Sequence, residues 1–167
     1  MPADRHIHHN FVLGTYNSQS TIDTDDGSSY YHTYDNFLAY ASNGLKSDYG
    51  GHDHVWTGNI VAYAGTCYDF GFDVYANTSF KGYNDAFVNN SCIFTGAGYQ
   101  SDCNWQHGLD KSVRMNNNEV YSGTGSLTIC GMSWDDWHKS SRDTGSTLGE
   151  WPADGELVSM AKRLLNF

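Results

Sequence analysis

Asp23, Asp25 and Asp26 fall within four positions of one another in IDTDDGSSYY, Ile22 to Tyr31. LKSDYGGHDH, Leu45 to His54, sets Lys46, Asp48, His52, Asp53 and His54 in a stretch of similar shape. Such groups suit three kinds of chemistry. Two carboxylates flanking a glycosidic bond act as acid and as base or nucleophile. A lysine beside them removes a proton or steadies an enolate. Carboxylate oxygens also hold a hard cation such as calcium. The same residues are ordinary turn formers, whose side chains satisfy backbone donors at corners, and Asp26 and Asp53 fit that role equally well. The choice depends on whether the chain brings the two stretches together.

A repeat does so. HNFVLG, DNFLAY, GNIVAY, NNSCIF and NNEVYS align on Asn10, Asn36, Asn59, Asn90 and Asn118, at separations of 26, 23, 31 and 28 residues. Units of that length, built of short β-like segments with no internal helix, describe a solenoid. Propeller blades need about 40 residues, and the leucine ladder of leucine-rich repeats is missing. The pattern predicts an all-β, right-handed parallel β-helix of about five coils, with an asparagine ladder at one turn. Val12, Leu38, Val61, Cys92 and Val120 form an inward row, beside an adjacent row that begins Phe11, Phe37 and Ile60.

Nine residues after Asn36, Asn90 and Asn118 stand Leu45, Tyr99 and Leu127. With short insertions in the first and third units, Ile22 and Phe72 join that inward row. The next position then holds Asp23, Lys46 and Asp73 on three neighbouring coils, facing outward and one strand spacing (about 4.8 Å) apart. Asp25 coincides with Asp48. The expected outer groove is lined by Asp23, Asp25, Lys46, Asp48 and Asp73 as the candidate catalytic set. Asp26, Tyr31, Tyr49, His52, Asp53 and His54 border it as candidate substrate contacts. Upstream of the ladder His6 lies beside His32 and His8 beside Tyr34, so HIHH offers a possible metal pair, against the plainer reading of a stacked solenoid surface.

Residues 1–150 are expected to form the coils and loops, and 151–167 an amphipathic helix capping the stack. In the helix Asp154 is the N-cap, and Leu157, Met160, Ala161, Leu164 and Leu165 recur at helical spacing. The N-terminus offers no such cap, so the expectation there is a missing N-terminal segment or a partner over the open end. The 167 residues carry 9 basic and 19 acidic side chains, a net charge of -10. Nucleic acid and anionic membrane surfaces are therefore excluded as partners, and no apolar run is long enough to span a bilayer. Cys67, Cys92, Cys103 and Cys130 match no zinc spacing and are consistent with one or two disulfides of a secreted or extracellular protein, or with buried thiols.

The DDGSS coil followed by the GLK coil, the recurring N-[FI]-[VL] rungs and the closing WPADGELVSMAKRLLNF resemble the right-handed parallel β-helix proteins of the pectin-lyase-like superfold. The likeness is greatest to secreted carbohydrate-active members, of which the chain resembles a C-terminal portion. The resemblance implies a polysaccharide or oligosaccharide as ligand, held along the outer groove. Hydrolysis would use Asp25 with Asp48, about 5 Å apart, or Asp23 with Asp73, about 10 Å apart. A lyase would use Lys46, with calcium held by the aspartates. Hydrolysis of a weakly charged glycan without a cofactor is preferred, because none of Arg5, Arg114, Arg142 and Arg163 falls in the groove register. The alternatives are the lyase and a non-catalytic glycan-binding or structural β-helix.

Overall fold

The computed structural model describes residues 4–16, 19–47, 51–70, 85–100 and 113–167. The first coil carries β1 (Arg5–His8), β2 (Phe11–Thr15) and β3 (Ile22–Thr24). The second carries β4 (Tyr31–Tyr34), β5 (Phe37–Ala41) and β6 (Asn43–Ser47). In the third, β7 (Val55–Thr57) is followed by the long β8 (Ile60–Phe70), which pairs with both β5 and β6. β9 (Asp85–Val88) and β10 (Ser91–Gln100) make the fourth, and β11 (Val113–Asn116) and β12 (Glu119–Ser122) open the fifth. All of these strands pair in parallel, giving sheets ordered β1-β4-β7-β9-β11 and, with β15 (Thr147–Glu150) at its end, β15-β12-β10-β8-β5-β2. The result is the expected all-β parallel β-solenoid, of about 4 turns.

The repeat is written in the turn between the two sheets. The residue before each ladder asparagine is left-handed: His9, Asp35, Gly58, Asn89 and Asn117 have φ of 55°, 52°, 68°, 56° and 54°. Asn, Asp and Gly tolerate that conformation best. The chain then reverses with the asparagine side chain inside the bend. Each Asn Oδ1 from Asn36 onward accepts the backbone N–H and the side-chain NH₂ of the preceding rung, as in Asn36 Nδ2 to Asn59 Oδ1 at 2.8 Å and Asn59 Nδ2 to Asn90 Oδ1 at 3.0 Å. Asn36, Asn59, Asn90 and Asn118 are buried, so the ladder answers the demand that buried amides be paired.

The inward row is as expected: Val12, Leu38, Val61, Cys92 and Val120 are directly opposed. Cys92 is bonded across the interior to Cys67, and Cys130 is disulfide-bonded as well. Closing 25 residues is worth about 3 kcal/mol through the unfolded chain.

Three expectations are corrected. Leu45 lies opposite Tyr68, not Phe72, and Lys46 opposite Asp69, not Asp73. Tyr68 stands nine residues after Asn59, as Leu45 does after Asn36, so no insertion falls within the third strand. Tyr99 is buried, but Gln100 is the residue paired with Tyr68, because β10 shifts register twice between Ile93 and Gly98. The third concerns the cap. α2 (Asp154–Leu165) exists, with Ala153 rather than Asp154 as its N-cap. It lies against the outer face of the second sheet, burying Leu157 with Phe37, Ala39, Ile60, Ala62 and Ile93.

The interior at the C-terminal end is covered by a segment with no expected structure: the hairpin of β13 (Thr128–Ile129) and β14 (Met132–Ser133) and the short α1 (Trp134–Lys139). They bring Ile129 and Trp137 into the main core.

Candidate functional site

β3 and β6 pair with Ile22 opposite Leu45 and Asp23 opposite Lys46, as the sequence register requires. β8 continues the row with Asp69. Lys46 is only 2% exposed, with its ammonium 3.0 Å from Gln19 Oε1, 3.4 Å from Asp23 Oδ2 and 3.6 Å from Asp25 Oδ1. The side chain was expected on an open groove. Instead it is covered by the residues that turn around it, because a buried ammonium needs its donors filled. Thr24 Oγ1 donates to the Lys46 carbonyl at 2.6 Å. Asn43 Nδ2 donates to Asp69 Oδ2 at 3.0 Å, holding the third carboxylate in the row.

The two carboxylates on Lys46 differ. The side chain of Asp23 is 31% exposed and that of Asp25 47%. Burial raises Asp23 above the ordinary aspartate range. Lys46 pulls the other way, and Asp25 and Asp69 add to the rise. Burial thus favours the protonated form of Asp23. Asp25 also starts a turn, with its carbonyl accepting from Ser28 N and Ser28 Oγ, while Asp26 sits left-handed at φ 51°. Asp26 is in the turn role weighed for it.

The HDH stretch is split by strand alternation. His52 and Asp53 stay near the surface, Nδ1 to Oδ2 2.7 Å, and His52 bridges to Ser29 of the coil before. His54 points inward and is 0% exposed, packed on Trp56 at 4.9 Å between ring centres. It was expected to contact substrate; its position two residues before the interior Trp56 puts it on the core face. Its Nδ1 accepts from Tyr31 N at 3.3 Å, while Tyr31 itself is half-buried under the Arg5 guanidinium. Burial lowers His54 to about 4. Its backbone N–H donates to Asp85 Oδ1 at 2.8 Å, and burial raises Asp85 to about 7. Asp48, Tyr49 and Asp73 lie outside the described residues.

Asp69 and Asp85 were missed, though the register carries both: Asp69 follows the ninth residue after Asn59, and Asp85 stands five before Asn90, as His54 does before Asn59. Also missed is an aromatic row. Tyr40 and Tyr63 stack at 5.3 Å and Trp151 meets Tyr63 edge-on at 5.6 Å. Both tyrosines are left-handed, at φ 59° and 54°, where the first coil has Gly14 at φ 78°. A bulky residue there is disfavoured by about 1–2 kcal/mol.

The HIHH pair does not converge. His6 Nε2 is 3.0 Å from Asp4, His8 stacks on Tyr34, and among the described residues no group of three or more His, Cys, Asp or Glu side chains is set to hold a metal. At the acidic cluster the Lys46 ammonium lies 3.4 Å from Asp23 Oδ2 and 3.6 Å from Asp25 Oδ1.

The fold and the row of charges define a parallel β-solenoid with a lysine–carboxylate cluster on three neighbouring coils. No protein-family model, curated protein or solved structure matches the chain.

Proposed function

We propose that the chain is a glycoside hydrolase acting on a weakly charged polysaccharide at the surface formed by Asp23, Asp25, Lys46 and Asp69. The observation that carries this reading is one buried ammonium shared by two carboxylates of unequal exposure, of which burial raises Asp23 above the ordinary aspartate range. Asp23 protonates the leaving oxygen. Asp25, the more exposed of the two and 3.6 Å from the Lys46 ammonium, activates water or attacks the anomeric carbon. Their oxygens each approach the same ammonium, so they lie at most about 7 Å apart, a span that includes the about 5 Å of retaining enzymes. Lys46 serves by fixing the pair; its ammonium is already engaged and covered, which disfavours the lyase reading. The Tyr40–Tyr63–Trp151 row supports a sugar ligand, since aromatic faces with polar rims suit pyranose rings. The net charge of -10 disfavours uronates. The Cys67–Cys92 bridge supports an oxidising, extracellular setting.

The test is release of reducing ends from a panel of neutral plant, algal and microbial glycans. Asp25→Asn is expected to lower the rate by about 10²-fold or more, and Lys46→Ala to lower it as well. Release that survives both substitutions removes the cluster from the chemistry. Retention on insoluble glycan without any release replaces hydrolysis by binding alone.

A further inference from the structure

The outer face of the second sheet carries rings that packing alone does not explain. Gly14, Tyr40 and Tyr63 fall at one register position on three successive coils, all left-handed, at φ 78°, 59° and 54°. Glycine meets that conformation freely and tyrosine does not. Tyr40 and Tyr63 stack with ring centres 5.3 Å apart, but two strained backbones cost more than one stacked pair returns. Strain that the surrounding fold holds in place points to a use for the side chains.

Trp151 follows β15 and reaches back over the coils of β12 and β10. Its Nε1 donates to the Phe94 carbonyl at 3.2 Å. A β-carbon on Gly123 would meet its Cζ2, Cε2 and Cη2 at 3.4, 3.5 and 3.7 Å. Such near-equal distances to three bonded ring atoms mean that the indole lies face-on over Gly123. The residue is 42% exposed, so the other face of the ring is turned to solvent. Tyr63 stands at 80° to that plane, its ring centre 5.6 Å away, as a wall beside a floor. Tyr63 Oη lies 3.5 Å from Asp154 Oδ1, a long hydrogen bond, and Asp154 Oδ2 is left to accept from a ligand. This step in the surface stands six residues before Asp69 on β8, at most about 20 Å of strand, and shares no residue with the Lys46 cluster.

We propose that Trp151, Tyr63 and Asp154 form a second, separate glycan-binding site, which holds one pyranose unit of a neutral chain. The sugar lies flat on the indole, and its hydroxyls donate to Asp154 Oδ2 and Tyr63 Oη. The C–H face of a pyranose suits an open aromatic plane, and its hydroxyl donors suit the two acceptors beside it. The net charge of -10 turns away anionic chains. A quaternary ammonium wants several ring faces converging on it; here Trp151 turns one face outward while Tyr40 and Tyr63 turn theirs to each other. The choice of a glycan rests on the proposed function, but the site does not require that the Lys46 cluster cleave anything.

The test uses the full chain carrying Asp25→Asn, so that no bound sugar is consumed. Indole N–H signals of the nitrogen-labelled protein are followed by NMR as cellohexaose, laminarihexaose, xylohexaose or mannohexaose is added, with tetramethylammonium as a competing chemistry. At least one hexaose is expected to shift the Trp151 signal saturably, with a dissociation constant of about 1 mM or tighter. Trp151→Ala is expected to weaken binding about tenfold or more, and Asp154→Asn, an exposed change, about threefold or more. Tyr63→Gly is expected to weaken binding while melting no lower than its parent, because glycine relaxes the left-handed backbone; a ring kept for packing would lower the melting point and leave binding alone. Failure of all four hexaoses to bind, equal binding by Trp151→Ala, or saturation by tetramethylammonium without any hexaose would each overturn the proposal. Hexaose binding at Trp151 in a wild-type chain that releases no reducing ends upholds it and sinks the hydrolase reading alone.

Discussion

At the residue scale the molecule keeps its charges close to tolerable limits. Lys46 is held by two carboxylates that remain partly wetted, so the pair is weaker than a dry one but stronger than a surface one. Lys46→Met keeps the apolar stem and removes the charge. It is expected to cost about 1–2 kcal/mol at pH 7. The deficit should shrink on acidification, as Asp23, raised by burial, takes up its proton and stops pairing with Lys46; urea midpoints at pH 7 and at pH 4 check this. His54 and Asp85 work in opposition. The imidazole is depressed to about 4 by burial, so its contribution is full above about pH 6.5 and is lost as pH falls toward 4. The carboxyl is raised to about 7, so its contribution is full below its ordinary 3.8 and is lost as pH rises toward 7. Between pH 4 and 6.5 the two slopes cancel. Asp85→Asn keeps an acceptor for His54 N and leaves the imidazole alone. The variant should gain on wild type steadily as pH rises from 4 to 7, by a total on the order of 3 kcal/mol. A constant offset would show that Asp85 is not buried as an acid.

At the scale of the elements, the turn before each asparagine does more than the strands to set the register. Asn59 is 0% exposed, accepts from Asn36 and donates to Thr33 O and Asn90 Oδ1. Asn59→Ala strands several buried polar groups at once and is expected to cost about 3–5 kcal/mol in chemical denaturation. A loss under 1 kcal/mol would mean that water replaces the rung. This dependence explains what was legible in the sequence. The solenoid, its ladder, its inward row and the Asp23–Lys46 pairing all follow from counting outward from asparagines that cannot move. Farther from the anchor, counting fails where the backbone bulges. Tyr63 and the shifts in β10 are invisible in residue types, and counting thirteen residues from Asn59 to Phe72, where nine lead to Tyr68, puts the third strand's inward row out of register. His54 shows the converse: a polar residue at an inward position is read as outward. The placing of α2 and α1 had no local signal, because which face a helix covers depends on the rows left apolar outside, Phe37, Ala39, Ile60, Ala62 and Ile93.

For the whole molecule, stability is unevenly distributed along the stack. In a solenoid each coil touches only its neighbours, so local opening is governed by how well each coil is flanked. The third and fourth coils are joined by Cys67–Cys92 and share the cover of α2 with the second. The last is shut by Trp137, 3% exposed against the core. The first has half-buried interior residues, and among the described residues no strand flanks its outer edge. Amides of β1 and β2 should therefore exchange fastest in the free chain, and those of β8 and β10 slowest. Trp137→Ala removes the closure at the other end and is expected to cost about 3–5 kcal/mol. Its effect should be graded: exchange speeds up at β12 and β15 first, while β1 and β2, already near their opening limit, change little. Native-state hydrogen exchange on wild type and variant resolves the two ends separately. Equal acceleration of all strands would mean that the stack opens as one cooperative unit, and the free energy holding Asp23 against Lys46 would then be that of the whole fold and not of the first two coils.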